Sequence, residues 1–108
     1  MNRGDIVIVA GGVYASKPRP AVILQSDRFD STASITVGPM TTTDIDAPLF
    51  RVAIAANAES GISVDSWVMV DKITTVPRTN VAQSAGRASA AQLAEIERCL
   101  AVFLGIAE

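Results

Sequence analysis

Lys17-Pro18-Arg19-Pro20-Ala21-Val22-Ile23-Leu24-Gln25-Ser26-Asp27 decides how the chain folds. Ala21–Gln25 is apolar on both faces, which suits a strand in the middle of a closed or covered sheet. Each proline fixes its own φ and pushes the residue before it toward an extended conformation. Arg19 is therefore held by a stiffened backbone at the mouth of a buried strand, where its guanidinium can meet a phosphate.

Working outward, Asp5–Ala10 reads as a first strand, ended by Gly11-Gly12, and the loop continues to Pro20. Beyond the central strand, Ser26–Ser34 is polar and turn-like, with one short helical turn expected over Asp27–Asp30. Further strands are expected over Ser34–Pro39, Leu49–Ala56 and Ser66–Lys72, closely followed by Ile73–Val76 before Pro77 stops regular pairing. The polar loop Thr41–Pro48 and a turn around Gly61 separate them.

The tail changes period. Ser89 is placed as an N-cap, with Gln92 where a capping box requires it. Leu93, Ile96, Leu100 and Phe103 then recur at helical spacing, and Gly105 is a stop. The expected fold is mainly β: a small barrel of about five short strands with a C-terminal α-helix, forming one domain over residues 1–108.

Composition narrows the chemistry. The chain has one cysteine, Cys99, and no histidine. An internal disulfide, cysteine metal clusters, histidine metal sites and Ser-His or Cys-His nucleophile pairs are thereby excluded. Catalysis must rest on Arg, Lys, Asp, Glu, Tyr, Ser or Thr. Apolar residues make up 49%, and the mean hydropathy of +0.34 excludes a disordered chain. No apolar run reaches membrane-spanning length, and the N-terminus lacks a signal-peptide layout, so the protein is expected in the cytoplasm, with no membrane partner.

The net charge of −2 argues against a broad basic nucleic-acid-binding face. Its distribution leaves room for a small basic groove. Lys17, Arg19, Arg28, Arg51, Lys72, Arg78 and Arg87 lie in loops or near strand ends, whereas Glu95, Glu97 and Glu108 collect in the C-terminal segment.

Several of these pieces, in this order, resemble the MazF/PemK (Kid) family of toxin endoribonucleases. The matching pieces are Arg3-Gly4-Asp5-Ile6-Val7-Ile8-Val9, the Lys-Pro-Arg-Pro strand, Gly38-Pro39-Met40-Thr41-Thr42-Thr43, Val70-Asp71-Lys72-Ile73 and the helix end Phe103-Leu104-Gly105. The resemblance covers nearly the whole chain. It implies that the barrel is SH3-like, of about five to seven strands with the C-terminal α-helix. It implies a homodimer and a cognate antitoxin whose acidic, disordered tail occupies the RNA groove. It also implies sequence-specific cleavage of single-stranded RNA without metal or other cofactor. In that reaction the RNA's own 2′-hydroxyl attacks the adjacent phosphorus, leaving a 2′,3′-cyclic phosphate and a 5′-hydroxyl. Such chemistry needs a base, positive charge on the developing phosphorane and a donor to the leaving oxygen.

By this resemblance Arg19, Thr41 and Asp71 are the catalytic candidates. Arg19 matches the phosphate-binding arginine, Thr41 the threonine after the third strand, and Asp71 an acid used as base or as orienter of the arginine. Lys17, Tyr14, Arg28, Thr42, Lys72 and Arg78 are candidates for RNA binding. Each has a plainer reading: a pair between Arg19 and Asp27, a local turn bond for Thr41, a strand-end salt bridge for Asp71, and solvated surface charge for the cations. The loop Gly11–Ser16 lacks the carboxylate found in several relatives, leaving Tyr14 or Lys17 to contribute a polar group or Asp71 to act as the base.

Trp67, in an apolar strand, reads as core packing, with Tyr14 and Phe29 the better stacking candidates. Two other functions use related features: a CcdB-like DNA gyrase poison on the same fold, and a catalytically inactive interaction module. The Lys-Pro-Arg-Pro strand and Leu104, where the CcdB tail has tryptophan, separate this chain from the first.

Overall fold

The computed structural model describes residues 1–10 and 17–107. Seven strands precede one helix: β1 (Asp5–Val9), β2 (Arg19–Ile23), β3 (Ser34–Thr41), β4 (Arg51–Ile54), β5 (Ser66–Met69), β6 (Thr74–Pro77), β7 (Val81–Arg87) and α1 (Ala90–Phe103). They form one antiparallel sheet in the order β4-β5-β3-β2-β1-β7, with β6 also pairing with β3. The mainly β fold with a C-terminal helix is the one expected.

Two apolar clusters explain why Ala21-Val22-Ile23 does not alternate. Ile6 and Val22, directly paired, join Met40, Val52, Val68 and the helix residues Ile96 and Cys99. Their neighbours Val7, Val9, Ala21 and Ile23 point the other way, onto Ile35, Val37 and Val76. Both faces of β1 and β2 are thus covered, and an uninterrupted apolar run follows. Each wholly buried Ile or Val contributes about 1.5–3 kcal/mol, so this strand pair anchors both clusters.

The second strand differs from its expected bounds. It starts at Arg19 because Val9 and Ile8 of β1 pair with Arg19 and Pro20. It ends at Ile23: Leu24 N–H still donates to Thr36 O at 3.1 Å, and beyond it the Gln25 side chain takes over, donating from Nε2 to Phe29 O and Thr32 Oγ1, each at 2.8 Å. The third strand runs beyond Pro39 to Thr41 because β5 supplies partners there, Val68 for Met40 and Trp67 for Thr41. The fourth contracts to Arg51–Ile54 and the fifth to Ser66–Met69, followed by a 3₁₀ turn over Val70–Lys72. The turn after Ser26 is a short 3₁₀ turn, Asp27–Phe29.

β7 has no counterpart among the expected strands. Val81-Ala82-Gln83-Ser84-Ala85-Gly86-Arg87 is small and polar, with weak strand propensity. It is a strand because β1 offers an open edge, which it follows with irregular register. The Asp5 carboxylate accepts from the Arg87 guanidinium across this edge.

β4 and β7, at opposite ends of the strand order, are drawn together without a ladder. Arg87 N–H donates to Glu59 O at 2.8 Å. Gly86 permits the approach: a Cβ there would lie 2.3 Å from Glu59 O and 2.4 Å from Ser60 C. The sheet is therefore strongly curled, with its ends bridged by a loop.

The helix begins as its sequence predicts. Ser89 Oγ accepts from Gln92 N–H at 3.1 Å, and Gln92 Oε1 accepts from Ser89 N–H at 2.7 Å. Both halves of the capping box are present. Ser89→Ala is expected to cost about 1 kcal/mol, read as a lower urea midpoint with unchanged slope; an unmoved midpoint would show the cap to be idle. At the other end Gly105, at φ +75°, closes a Schellman turn. Its N–H donates to Val102 O, and Ile106 N–H to Ala101 O.

The apolar stripe is narrower than expected. Ile96 and Cys99 are buried, Leu93 and Leu100 half-buried, and Phe103 exposed. Burial, then the nearby Glu95 carboxylate, pushes the Cys99 thiol above its ordinary range, leaving it protonated and unreactive.

Candidate functional site

The antiparallel registers place the candidates relative to one another. Arg19 opposes Val9 on β1. On the other side, the β2–β3 ladder ends at the Ala21–Pro39 pair, and Arg19 and Thr41 each lie two residues beyond it, at the same end of the two strands. Thr41 in turn opposes Trp67, and Trp67 opposes Ala53. Directly opposed residues project to the same face. One row therefore runs across the sheet through Thr41, Trp67 and Ala53, and Arg19 stands at the Thr41 end of β2 and β3.

Arg19 is exposed at the start of β2. Among the described residues, no hydrogen bond or ion pair engages its side chain. Asp27, the partner that would have made it structural, instead accepts from Arg3 N–H at 2.7 Å. Thr41 is half-buried, and its Oγ1 accepts from Thr43 N–H at 3.1 Å. That local bond uses a lone pair and leaves the hydroxyl proton available to a phosphate oxygen. Lys17 and Thr42 are exposed at the same end of the sheet.

Electrostatic pairing sorts the remaining cations. Of the chain's nine Lys and Arg residues, Arg3 pairs with Glu97, Arg51 with Asp71, Arg87 with Asp5 and Arg98 with Glu95. Arg78 is spent on the backbone, donating to Thr32 O and, at 3.1 Å, to Phe29 O. Lys17, Arg19, Arg28 and Lys72 have no such partner among the described residues. Their charges stay available to an outside anion.

Not all the candidates are brought together. Arg28, Phe29 and Arg78 lie at the opposite end of the sheet, where Ser34 pairs with Pro77. Ser34 and Thr41 are seven residues apart on β3, about 23 Å at strand rise. Asp71 and the exposed Lys72 follow β5, which leads away from Thr41 toward the level of Val37 and Gly38. Tyr14 lies outside the described residues.

Asp71 is held by its own partner. Arg51 Nε donates to Oδ1 at 3.1 Å and Nη2 to Oδ2 at 3.4 Å. The Arg51 side chain is only 9% exposed and that of Asp71 22%. The guanidinium also stands 5.7 Å from the centre of the Phe50 ring.

Trp67 is the feature the sequence reading misplaced. It is half-buried on the outer face, while Ser66, Val68 and Val70 point inward. The signal was available in the period of two: with Val68 and Val70 in the core, Trp67 and Met69 must face out. Beside Trp67 is a cleft of about 230 Å³ bounded by Asp44, Asp46, Arg51 and Ala53. On the other side of Arg19 and Thr41 a more apolar groove of about 270 Å³ is lined by Ile8, Pro20, Thr42, Ile62 and Val64.

Residues 2–104 match the family described as PemK-like, MazF-like toxins of type II toxin-antitoxin systems. The chain belongs to that family. It is 50% identical over 108 residues to a probable endoribonuclease MazF of Mycolicibacterium smegmatis, covering 99% of each chain. It is 32% identical over 116 residues to endoribonuclease MazF9 of Mycobacterium tuberculosis, covering 98% of each. A MazE–MazF structure from Deinococcus radiodurans shares the fold at a TM-score of 0.80 and 26% identity, over 97% of this chain and 96% of that one. A mycobacterial endoribonuclease in complex with its cognate antitoxin superposes equally well, TM-score 0.80, at 21% identity over 100% and 98% of the two chains. Membership of the MazF-like toxins agrees with the resemblance carried by the Lys-Pro-Arg-Pro strand.

Proposed function

We propose that this chain is the toxin of a type II toxin–antitoxin pair and acts as a sequence-specific endoribonuclease on single-stranded RNA. The observation that carries this reading is the uncommitted guanidinium of Arg19, exposed two residues beyond the Ala21–Pro39 pair, at the end of the sheet that also carries the Thr41 hydroxyl. A phosphodiester seated between them receives a bidentate cation and a neutral donor. As the RNA's 2′-oxygen attacks, negative charge grows on the phosphorane oxygens, and these two groups stabilise it more than the ground state. The 2′-hydroxyl gives up its proton as it attacks, the P–O bond to the 5′-oxygen breaks, and the 5′-oxygen takes up a proton from water. The step is therefore proton-neutral and gives a 2′,3′-cyclic phosphate and a 5′-hydroxyl. Lys17 and Thr42 extend the anion-binding end of the sheet. Arg28 and Lys72 offer further phosphate contacts to a longer strand.

Asp71 takes part through Arg51, which it fixes in place, as a positioning residue. The 50% identity to a protein named an endoribonuclease favours this function over the gyrase poison and the inactive module. A homodimer and a cognate antitoxin complete the proposal, supported by family membership and by relatives solved with antitoxins. No helix among the described residues is long and apolar enough to cross a membrane, in keeping with action in the cytoplasm.

Purified protein incubated with a long single-stranded RNA in EDTA is expected to cut at one recurring short sequence. End-labelling would find cyclic phosphate on the upstream fragment and a free hydroxyl on the downstream one. Intact RNA at micromolar enzyme, or cuts that require added magnesium, would refute the assignment.

A further inference from the structure

We propose that Trp67 is the stacking platform for the base next to the scissile phosphate, and that the cleft beside it selects that base. The inference rests on the nuclease reading and assigns a substrate contact within the same site. Three observations lead to it. Trp67 directly opposes Thr41, so its side chain starts about 5 Å from the proposed phosphate-binding threonine. It projects on the same face as Thr41 and is half-exposed rather than packed into either apolar cluster. Its cross-strand neighbour Ala53 is small and exposed, so the cleft of about 230 Å³ remains open over it.

Charge decides which part of a nucleotide enters. Asp44 and Asp46 border the cleft, and the one cation lining it among the described residues, Arg51, is paired with Asp71. A phosphate would meet uncompensated carboxylates and is repelled. A base is not: its π-face stacks on the indole, while its N–H groups can donate to acceptor-only carboxylates. The backbone thus stays on the Arg19–Thr41 side, and the base turns toward Trp67. This division anchors the phosphate at one strand pair and reads the base at the next, so the row across the sheet sets the cleavage register.

Trp67 is the only tryptophan in the chain, so its emission reports the contact directly. The experiment titrates wild-type protein with an RNA carrying 2′-O-methyl groups at the cut site, which blocks the attack. Emission is expected to be quenched, and less so when either nucleotide flanking the cut is abasic. With cleavable RNA, Trp67→Ala is expected to lower kcat/KM about 5- to 150-fold, the range for losing one base–aromatic stack. Trp67→Phe is expected to recover most of that loss. The abasic nucleotide should cost activity in wild type but little more in Trp67→Ala, a coupling that a merely structural tryptophan would not produce.

Unquenched emission on binding, or equal abasic penalties in both proteins, would overturn the stacking role while leaving cleavage by the wild type intact. Should Trp67→Ala not fold, the wild-type emission titration alone decides. Failure of wild-type protein to cut any RNA would overturn the nuclease reading and this inference with it.

Discussion

Arg19→Ala is expected to lower kcat/KM for RNA cleavage at least a hundredfold while leaving the unfolding midpoint unchanged. The two halves have separate causes. The Arg19 side chain is exposed and makes no hydrogen bond or ion pair among the described residues, so truncation removes little that folding uses, within about 0.5 kcal/mol. In the reaction its guanidinium would face charge that grows only in the transition state. Removing one preorganised donor from such a site costs about 100- to 1000-fold, and the lost cation adds to that. Arg19→Lys should fall between the two, keeping charge but not the planar fork. Thr41→Val, close in shape, removes a single neutral hydroxyl and should cost roughly tenfold. Single-turnover rates, with urea denaturation of the same samples, separate the effects. Arg19→Ala cutting within threefold of wild type would remove this arginine from the reaction.

The second large effect belongs to stability. Asp71→Ala leaves the Arg51 guanidinium, its side chain 9% exposed, without a carboxylate. Breaking one side of a buried pair costs about 3–5 kcal/mol. The 22% exposure of Asp71 admits some water and points to the lower end, about 3 kcal/mol. Replacing both partners together, Arg51→Met with Asp71→Leu, should recover much of the loss because no stranded charge remains. Asp71→Asn distinguishes positioning from direct proton transfer. As a general base, Asp71 would lose kcat in the folded variant out of proportion to its loss of stability. As the holder of Arg51, it loses stability first, and activity follows only as far as Arg51 shifts. Equal denaturation midpoints for Asp71→Ala and wild type would remove the ion pair from any structural role.

How much was legible beforehand varies by element. The capping box of Ser89 and Gln92 was readable because its partners lie three residues apart and local geometry alone closes it. The Gly105 stop was readable for the same reason. β7 was not, because its small polar residues prefer no conformation and become a strand only at the edge β1 leaves open. The strand ends shifted similarly. Thr41 is in β3 rather than in the following loop because Trp67, twenty-six residues on, is paired with it.

The site divided along the same line. Arg19 could be singled out from its flanking prolines, whose effect on neighbouring backbone is covalent and local. Arg78 also follows a proline, but Thr79 rather than a second proline comes after it, and the chain alone did not show whether either guanidinium is free. Folding separated them: Arg78 closes onto the carbonyls of residues 29 and 32, while Asp27 is taken by Arg3, not by Arg19. The apolar runs, the helix and its ends, and the absence of histidine were settled by residue chemistry. Which cations remain free, which face Trp67 takes and where Asp71 spends its charge were settled by contacts between distant residues. Period, capping and backbone restriction act over a few bonds. Pairing of charges and strands depends on positions that only the assembled sheet brings together.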